Sequence, residues 1–151
     1  MKYLVDTNVL LRWSVADDRH HAECVDAVDA LTARGHDVCV CAQVIIEYWA
    51  VSTRPREVNG LELSPVDVDE RLTETDNIFT LLPEPPDIAA RWRKLASGYS
   101  VEGKQAHDAR IAALMLAHGV TNILTLNPDD FSRYQGITPV TPHDVLQQAG
   151  A

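Results

Sequence analysis

The sequence lacks most features that identify membrane, secreted or nucleic-acid-coating proteins. No apolar run approaches the roughly 20 residues of a membrane span, and the chain opens on a strand-like run without the basic and long apolar segments of a signal peptide. It carries 13 Lys and Arg against 22 Asp and Glu, a formal net charge of −9, and bulk electrostatic binding to nucleic acid needs a basic surface. We therefore expect a cytoplasmic protein without membrane association. An enzyme whose acidic centre is neutralised by metal stays compatible with this charge.

Cysteine and the common cofactor motifs are also scarce. The three cysteines are odd in number, and Cys39 and Cys41 share one face of an expected strand, where pairing would be strained. We interpret them as small buried hydrophobes in preference to redox or metal groups. No His pair has zinc-ligand spacing on a helix, and no P-loop, Gly-x-Gly-x-x-Gly or Gly-x-Ser-x-Gly sequence is present.

What the sequence does contain is an alternation of strand and helix patterns. With 46% apolar residues, 151 residues suffice for one domain, 1–151, with its own core. The alternation predicts an α/β fold, a three-layer α/β/α sandwich with a short, mostly parallel central sheet. We predict strands at 2–6, 37–41, 80–82 and 122–125, and helices at 7–15, 19–34, 43–53, 65–79, 87–99, 106–118 and from 142 onwards.

Two carboxylates stand out against apolar surroundings. Asp6 ends the first apolar run and would either cap the next helix or belong to a charged site. Glu47 is the only charged residue between Val38 and Thr53, and burying an unpaired carboxylate costs several kcal/mol. Glu47 therefore lies either on one exposed stripe of its helix or in a site at the sheet edge that Asp6 shares.

Two further regions supply acids at comparable places. Asp108 opens a helical pattern, where an anion in the first turn is favourable by itself. The segment from Leu124 to Phe131 follows the last predicted strand and taken alone would be a turn. Carboxylates packed together repel unless a cation lies among them, and Mg²⁺ or Mn²⁺ suits an all-oxygen site. The four regions together suggest converging oxygen ligands at the carboxyl ends of the strands.

In these motifs the chain resembles the PIN-domain family, and within it the VapC-type toxins of bacterial toxin–antitoxin pairs. The resemblance covers nearly the whole chain and is carried by the segments 4–10, 44–51, 103–110 and 124–131. It implies a metal-dependent endoribonuclease in which Asp6, Glu47 and Asp108 hold Mg²⁺ or Mn²⁺ and water attacks the RNA backbone. It also implies a homodimer and a cognate antitoxin that blocks the acidic groove.

The fourth acidic position departs from the family pattern. Many members have Asp where this chain has Asn127, and the resemblance implies that Asp130, or with less support Asp129, supplies the missing charge. Catalytic roles are thus expected for Asp6, Glu47, Asp108 and Asp130. Positioning of ligands or water is expected for Thr7, Asn8, Thr125 and Asn127.

Other interpretations stay open at this point. A phosphohydrolase of small phosphoesters, of the haloacid dehalogenase kind, would use Asp6 but wants a second Asp at the position of Asn8. A non-catalytic interaction module is supported only by Asn127. His107 is either a general base or, in our preferred interpretation, a surface histidine. The aromatic residues that would stack on bases or belong to the core are Trp13, Tyr48, Trp49 and Trp92.

Overall fold

The computed structural model describes residues 1–148, and its centre is a five-stranded sheet. Its strands are β1 (Lys2–Val5), β2 (Asp37–Cys41), β3 (Thr80–Leu82), β4 (Asn122–Leu124) and β5 (Thr138–Val140). They lie in the order β3-β2-β1-β4-β5, and every pairing is parallel. The central strands are buried on both faces, Leu4 and Val5 completely, which explains why they are uninterrupted apolar runs.

Seven helices cover this sheet in two groups. They are α1 (Thr7–Ser14), α2 (His21–Ala33), α3 (Ala42–Thr53), α4 (Pro65–Ile78), α5 (Ile88–Gly98), α6 (Gln105–Ala117) and α7 (Pro142–Gln147). Helix α2 packs on α1 and α7, and α3 on α1 and α4, whereas α5 packs on α6. Because parallel crossovers are right-handed, the return from β3 to β4 places α5 and α6 on the opposite face. The predicted α/β/α layering is confirmed. In residues 1–148 no helix is both long and apolar enough to span a bilayer.

The strand order reverses at β1, and this reversal determines where a site forms. One crossover from β1 leads to β2, while the chain later returns to β4 on the other side of β1. The loops after β1 and β4 therefore diverge at their carboxyl ends and leave a crevice between them. Open α/β sheets bind ligands at this point.

Strand β5 is the element that the sequence patterns did not predict. It is only three residues long, contains Pro139 and pairs with β4 alone. A proline cannot donate to a ladder, but it is tolerated in an edge strand because one side of that strand is unpaired. The backbone amide of Thr125 donates to Val140 O at 2.9 Å and thereby ties β5 to the end of β4.

The cysteines and most of the aromatic side chains belong to the core. All three cysteines are buried and free. Trp13 packs edge-on against Phe79 with ring centroids 5.0 Å apart, and Tyr48 is fully buried. The Trp92 indole donates to a backbone carbonyl at 2.8 Å. Of the four aromatics that we considered for base stacking, Trp49 is the exposed one, at 36%.

Candidate functional site

Asp6 lies at the crevice and caps a helix at the same time. It follows β1 directly, and its Oδ1 accepts a hydrogen bond from the Thr7 backbone N–H at 2.8 Å as the N-cap of α1. Its Oδ2 points across the crevice and accepts from the Thr125 hydroxyl at 2.8 Å. The side chain is only 7% exposed. The capping interpretation is therefore right, but it accounts for only one of the two carboxylate oxygens.

The polar residues beside Asp6 join the ends of β1 and β4. Asn8 accepts from the Leu126 backbone N–H at 3.1 Å through Oδ1, and its Nδ2 lies 3.3 Å from Asp6 Oδ2. Thr125 Oγ1 accepts from the Asn127 backbone N–H at 3.0 Å while it donates to Asp6. These contacts fix the orientation of the carboxylate, because both neighbouring strand ends contribute to it.

Helix α3 brings Glu47 to the same place. Glu47 Oε2 accepts from the Thr7 hydroxyl at 2.8 Å, and Oε1 accepts from Gln43 Nε2 at 2.9 Å. Glu47 is partly buried, so it does not lie on a fully exposed stripe of its helix. Thr7 therefore links the two acids: its backbone N–H donates to Asp6, and its hydroxyl donates to Glu47.

Gln43 is a site residue that we did not identify from the sequence. Its Nε2 donates both to Glu47 and, at 2.7 Å, to the carbonyl of His107, the residue before Asp108. Gln43 is buried, and its Oε1 has no hydrogen-bond partner in residues 1–148. An amide one helical turn before a lone buried glutamate is the signal that would have indicated it. The His107 side chain itself is exposed, as expected for a surface histidine.

The charges of four carboxylates influence one another at this edge of the sheet. The pKa of Asp6 is raised to about 6, chiefly by burial; the charges of Glu47 and Asp130 add to this rise, and hydrogen bonds from Thr125 and the Thr7 amide oppose it. Burial is also the main reason that the pKa of Asp108 is raised to about 7; the charges of Asp130, Asp6 and Glu47 add to it. Mutual repulsion of this kind is typical of acids that share a cation site.

The segment after β4 contributes one acid to this group. Pro128–Asp130 forms a short 3₁₀ turn that leaves Asp130 partly buried and Asp129 exposed. Asp130, and not Asp129, is among the charges that raise the pKa values of Asp6 and Asp108. Asn127 is exposed, and its backbone amide makes its contact with Thr125. This geometry supports Asp130 as the fourth acid.

The donor set fits a hard divalent cation, although the acids do not converge tightly. No three His, Cys, Asp or Glu side chains in residues 1–148 are close enough together to hold an ion as they stand. The groups that face the crevice are nevertheless carboxylates, with hydroxyls and amides behind them, which are the ligand types of Mg²⁺ and Mn²⁺. A cation would also relieve the repulsion that adds to the effect of burial on the two Asp pKa values.

Known structures share this architecture. The toxin–antitoxin structure described as VapBC2 from Rickettsia felis bound to promoter DNA aligns with a TM-score of 0.68 at 14% identity, over 93% of this chain and 98% of that one. DNA-bound VapBC from Salmonella typhimurium gives 0.68 at 15% identity, over 94% and 98%. Mycobacterium tuberculosis VapC20, described as a Sarcin-Ricin loop cleaving toxin, gives 0.62 at 18%, over 91% and 99%. At these identities the likeness shows the fold.

The sequence itself gives the family. No curated protein matches the chain, but the family model described as PIN domain matches residues 3–137. That range contains Asp6, Glu47, Asp108 and Asp130. The chain belongs to the PIN-domain family.

Proposed function

We propose that this protein is a metal-dependent endoribonuclease and the toxin of a toxin–antitoxin pair. The observation that carries the proposal is a group of four carboxylates from four separate regions of the chain at one sheet edge, where burial raises the pKa values of Asp6 and Asp108 and the neighbouring acids add to that rise. A protein that used this edge only for binding would have no need for buried acids that repel one another. The similarity in fold to the structure described as a Sarcin-Ricin loop cleaving toxin supports RNA as the substrate.

The acids and their neighbours would have separate roles. Asp6, Glu47 and Asp108 would hold Mg²⁺ or Mn²⁺, with Asp130 adding negative charge at the open side. When bound, such an ion supplies Lewis-acid stabilisation of phosphoryl charge and lowers the pKa of water. Thr7 keeps Glu47 in place through its hydroxyl, and Asn8 and Thr125 do the same for Asp6.

The partner proteins follow from the same fold. The R. felis and S. typhimurium structures are described as VapBC complexes, and we infer that this chain also pairs with an antitoxin that covers the acidic edge. We also propose a homodimer that acts in the cytoplasm. Size-exclusion chromatography with light scattering tests the homodimer when this chain is analysed alone. The same measurement after addition of the product of a neighbouring reading frame tests the antitoxin complex.

The phosphohydrolase alternative receives no support from the geometry of Asn8. In that mechanism the position would carry a second acid, whereas here both ends of the Asn8 amide are engaged, with the Leu126 amide and with Asp6. Asn8 therefore serves as a brace between β1 and β4. The acids at the crevice likewise argue against the alternative of a non-catalytic interaction module.

An RNA cleavage assay tests the proposal. The wild-type protein should cleave single-stranded or loop RNA with Mg²⁺ or Mn²⁺ and lose this activity in EDTA. Asp6→Asn keeps an N-cap side chain but removes a charged ligand, so it should reduce cleavage by at least about 100-fold, as expected when a catalytic metal is lost. The matched control Asp26→Asn, at an exposed position on α2, should cleave like the wild type. Equal cleavage by wild type and Asp6→Asn would refute the proposal.

A further inference from the structure

A polar pocket opens beside the acidic group, on the side of α1 and the loop that follows it. It has a volume of about 370 Å³ and is lined by Asn8, Arg12, Asp18, Arg19, His20, Leu126 and Asn127. A volume of this size lies within the range of pockets that bind small ligands. The pocket adjoins the acidic group, because Asn8, which lines the pocket, also lies 3.3 Å from Asp6 Oδ2 through its Nδ2.

This pocket carries cationic side chains although the chain as a whole is anionic. The chain carries a net charge of −9, yet the pocket wall combines two arginines and a histidine with a single carboxylate, Asp18. Asp18 Oδ1 accepts from the His20 backbone N–H at 2.8 Å, and Asp18 Oδ2 lies 3.8 Å from Arg12 Nε, so Asp18 offsets part of the charge of Arg12 and leaves Arg19 as the second cation of the wall. A polyanion that reaches the acidic edge would meet cationic donors in this adjoining pocket.

Arg12 is held in place but its donors are not all used. One terminal nitrogen donates to the Asn8 carbonyl at 3.2 Å, which fixes the guanidinium against the wall. Its Nε lies 3.8 Å from Asp18 Oδ2, too far for a hydrogen bond. The same Nε is buried without a hydrogen-bond partner in the part of the chain that the structure describes. A guanidinium with free donors matches the oxygens of a phosphate.

Arg19 and His20 complete the pocket from the loop before α2. Arg19 is exposed, and the nearest acid to the His20 ring is Glu23 at 3.8 Å. Both side chains can therefore turn towards a ligand at little cost in broken contacts. Asn8 and Asn127 add amide groups on the side of the acidic edge.

We propose that this pocket binds a backbone phosphate of the RNA next to the phosphate at the acidic edge, through Arg12 and Arg19. The inference rests on the proposed ribonuclease function and adds a second anchor for its substrate. The acidic group by itself repels RNA until a cation is bound. A cationic pocket adjoining it supplies the electrostatic attraction that the overall charge lacks, and it fixes the direction in which the strand crosses the site.

The test compares Arg19→Gln and Arg12→Gln with the control Lys2→Gln, which removes the same charge at the opposite, amino-terminal end of β1. Cleavage of a short single-stranded RNA gives kcat and KM. The dissociation constant of the same RNA is measured by fluorescence anisotropy over a series of salt concentrations. For this measurement each variant also carries Asp108→Asn, so that the RNA is not cleaved. Both pocket variants should raise KM and Kd roughly tenfold with kcat near the wild-type value, as for the loss of a charged hydrogen bond. Each should lower the slope of log Kd against log salt by about 0.7.

The possible results distinguish the pocket from the proposed function. A wild-type protein that neither cleaves nor binds RNA rejects the function and the pocket together. If the wild type cleaves and both pocket variants behave like Lys2→Gln, the pocket proposal alone is overturned. Because Arg12 is partly buried, circular dichroism melts accompany its variant, and if Arg12→Gln is unfolded the exposed Arg19 variant decides the outcome. Poly-glutamate that binds the wild type but not Arg19→Gln, with RNA affinity unchanged, would assign the pocket to an acidic protein segment and overturn the RNA proposal.

Discussion

Thr125 and Asp6 are 119 residues apart in the sequence and are joined by a 2.8 Å hydrogen bond from the threonine hydroxyl to Asp6 Oδ2. Burial raises the pKa of Asp6 to about 6, and this hydrogen bond is the strongest influence in the opposite direction. The end of β4 therefore helps to keep the carboxylate at the end of β1 ionised near neutral pH. Neither strand would have this effect by itself.

Replacing Thr125 by valine should move the pH dependence of cleavage. Thr125→Val keeps the shape of the side chain and removes the donor, so the pKa of Asp6 rises further and the carboxylate is protonated at a higher pH. We expect the acidic limb of the pH–rate profile to shift upward by about one pH unit, since a hydrogen bond to a charged group contributes on the order of 1.5 kcal/mol and one pKa unit corresponds to about 1.4 kcal/mol. Thr125→Ser should retain the wild-type profile. A parallel drop in rate at every pH would show that the hydroxyl acts only through structure.

Neutralising Asp108 should stabilise the metal-free protein. The pKa of this acid rises from 3.8 in the ordinary case to about 7 in the fold. The protonated Asp108 side chain favours the folded state. This stabilisation is fully present below about pH 4 and is lost as the pH rises through 7. Asp108→Asn stays neutral, so in EDTA at pH 8 it should be more stable than the wild type by about 1–2 kcal/mol, after a discount for the solvent that reaches the side chain.

Urea unfolding in EDTA between pH 4 and pH 8 measures this difference. The gain from Asp108→Asn should shrink steadily as the pH falls from 8 towards 4, because the folded wild-type acid becomes protonated over this range. The control Asp26→Asn, exposed on α2, should follow the wild type throughout. A stability gain that is the same at pH 4 and pH 8 would contradict the electrostatic cause.

Gln43 should control the affinity for metal without touching the ion. Gln43→Met has a similar length but cannot donate to Glu47 or to the His107 carbonyl. We expect the dissociation constant for Mn²⁺, measured by calorimetry, to rise by about 10-fold or more, the usual effect of removing a group that orients a ligand. Gln135→Met, at an exposed position, is the control. Unchanged Mn²⁺ affinity in Gln43→Met would mean that Glu47 needs no support from this side.

Asp130 should matter for metal binding and RNA cleavage, and the adjacent Asp129 should not. Asp130 raises the pKa values of Asp6 and Asp108, whereas the adjacent Asp129 is exposed and does not contribute to them. Asp130→Asn should weaken Mn²⁺ binding and slow RNA cleavage by about 10-fold or more, and Asp129→Asn should leave both near the wild-type values. Equal effects of the two variants would indicate a general dependence on negative charge after β4.

Much of the fold was accessible from local patterns. The buried strands β1, β2 and β4 are short apolar runs bounded by turn residues, and the helices α4 and α7 begin at Ser-Pro and Thr-Pro caps that the structure retains. Strand β5 was missed because three residues with a central proline carry no strand pattern. The strand forms because the edge of β4 is otherwise unpaired, and this depends on tertiary structure that a local sequence pattern does not contain.

The sequence by itself determined the family, the α/β alternation and the suspicion that Asp6, Glu47 and Asp108 belong together, because an acid at the end of a buried run has few structural explanations. The tertiary structure decided which neighbours accompany them. Gln43 contacts Glu47 one turn further along α3, but it reaches the His107 carbonyl only because the fold brings the starts of α3 and α6 together. Arg12 and Asn127 line one pocket only because β4 returns to the edge of β1. Such pairings depend on sheet order and crossover direction, and these are set by the packing of the whole chain, not by the order of residues along it.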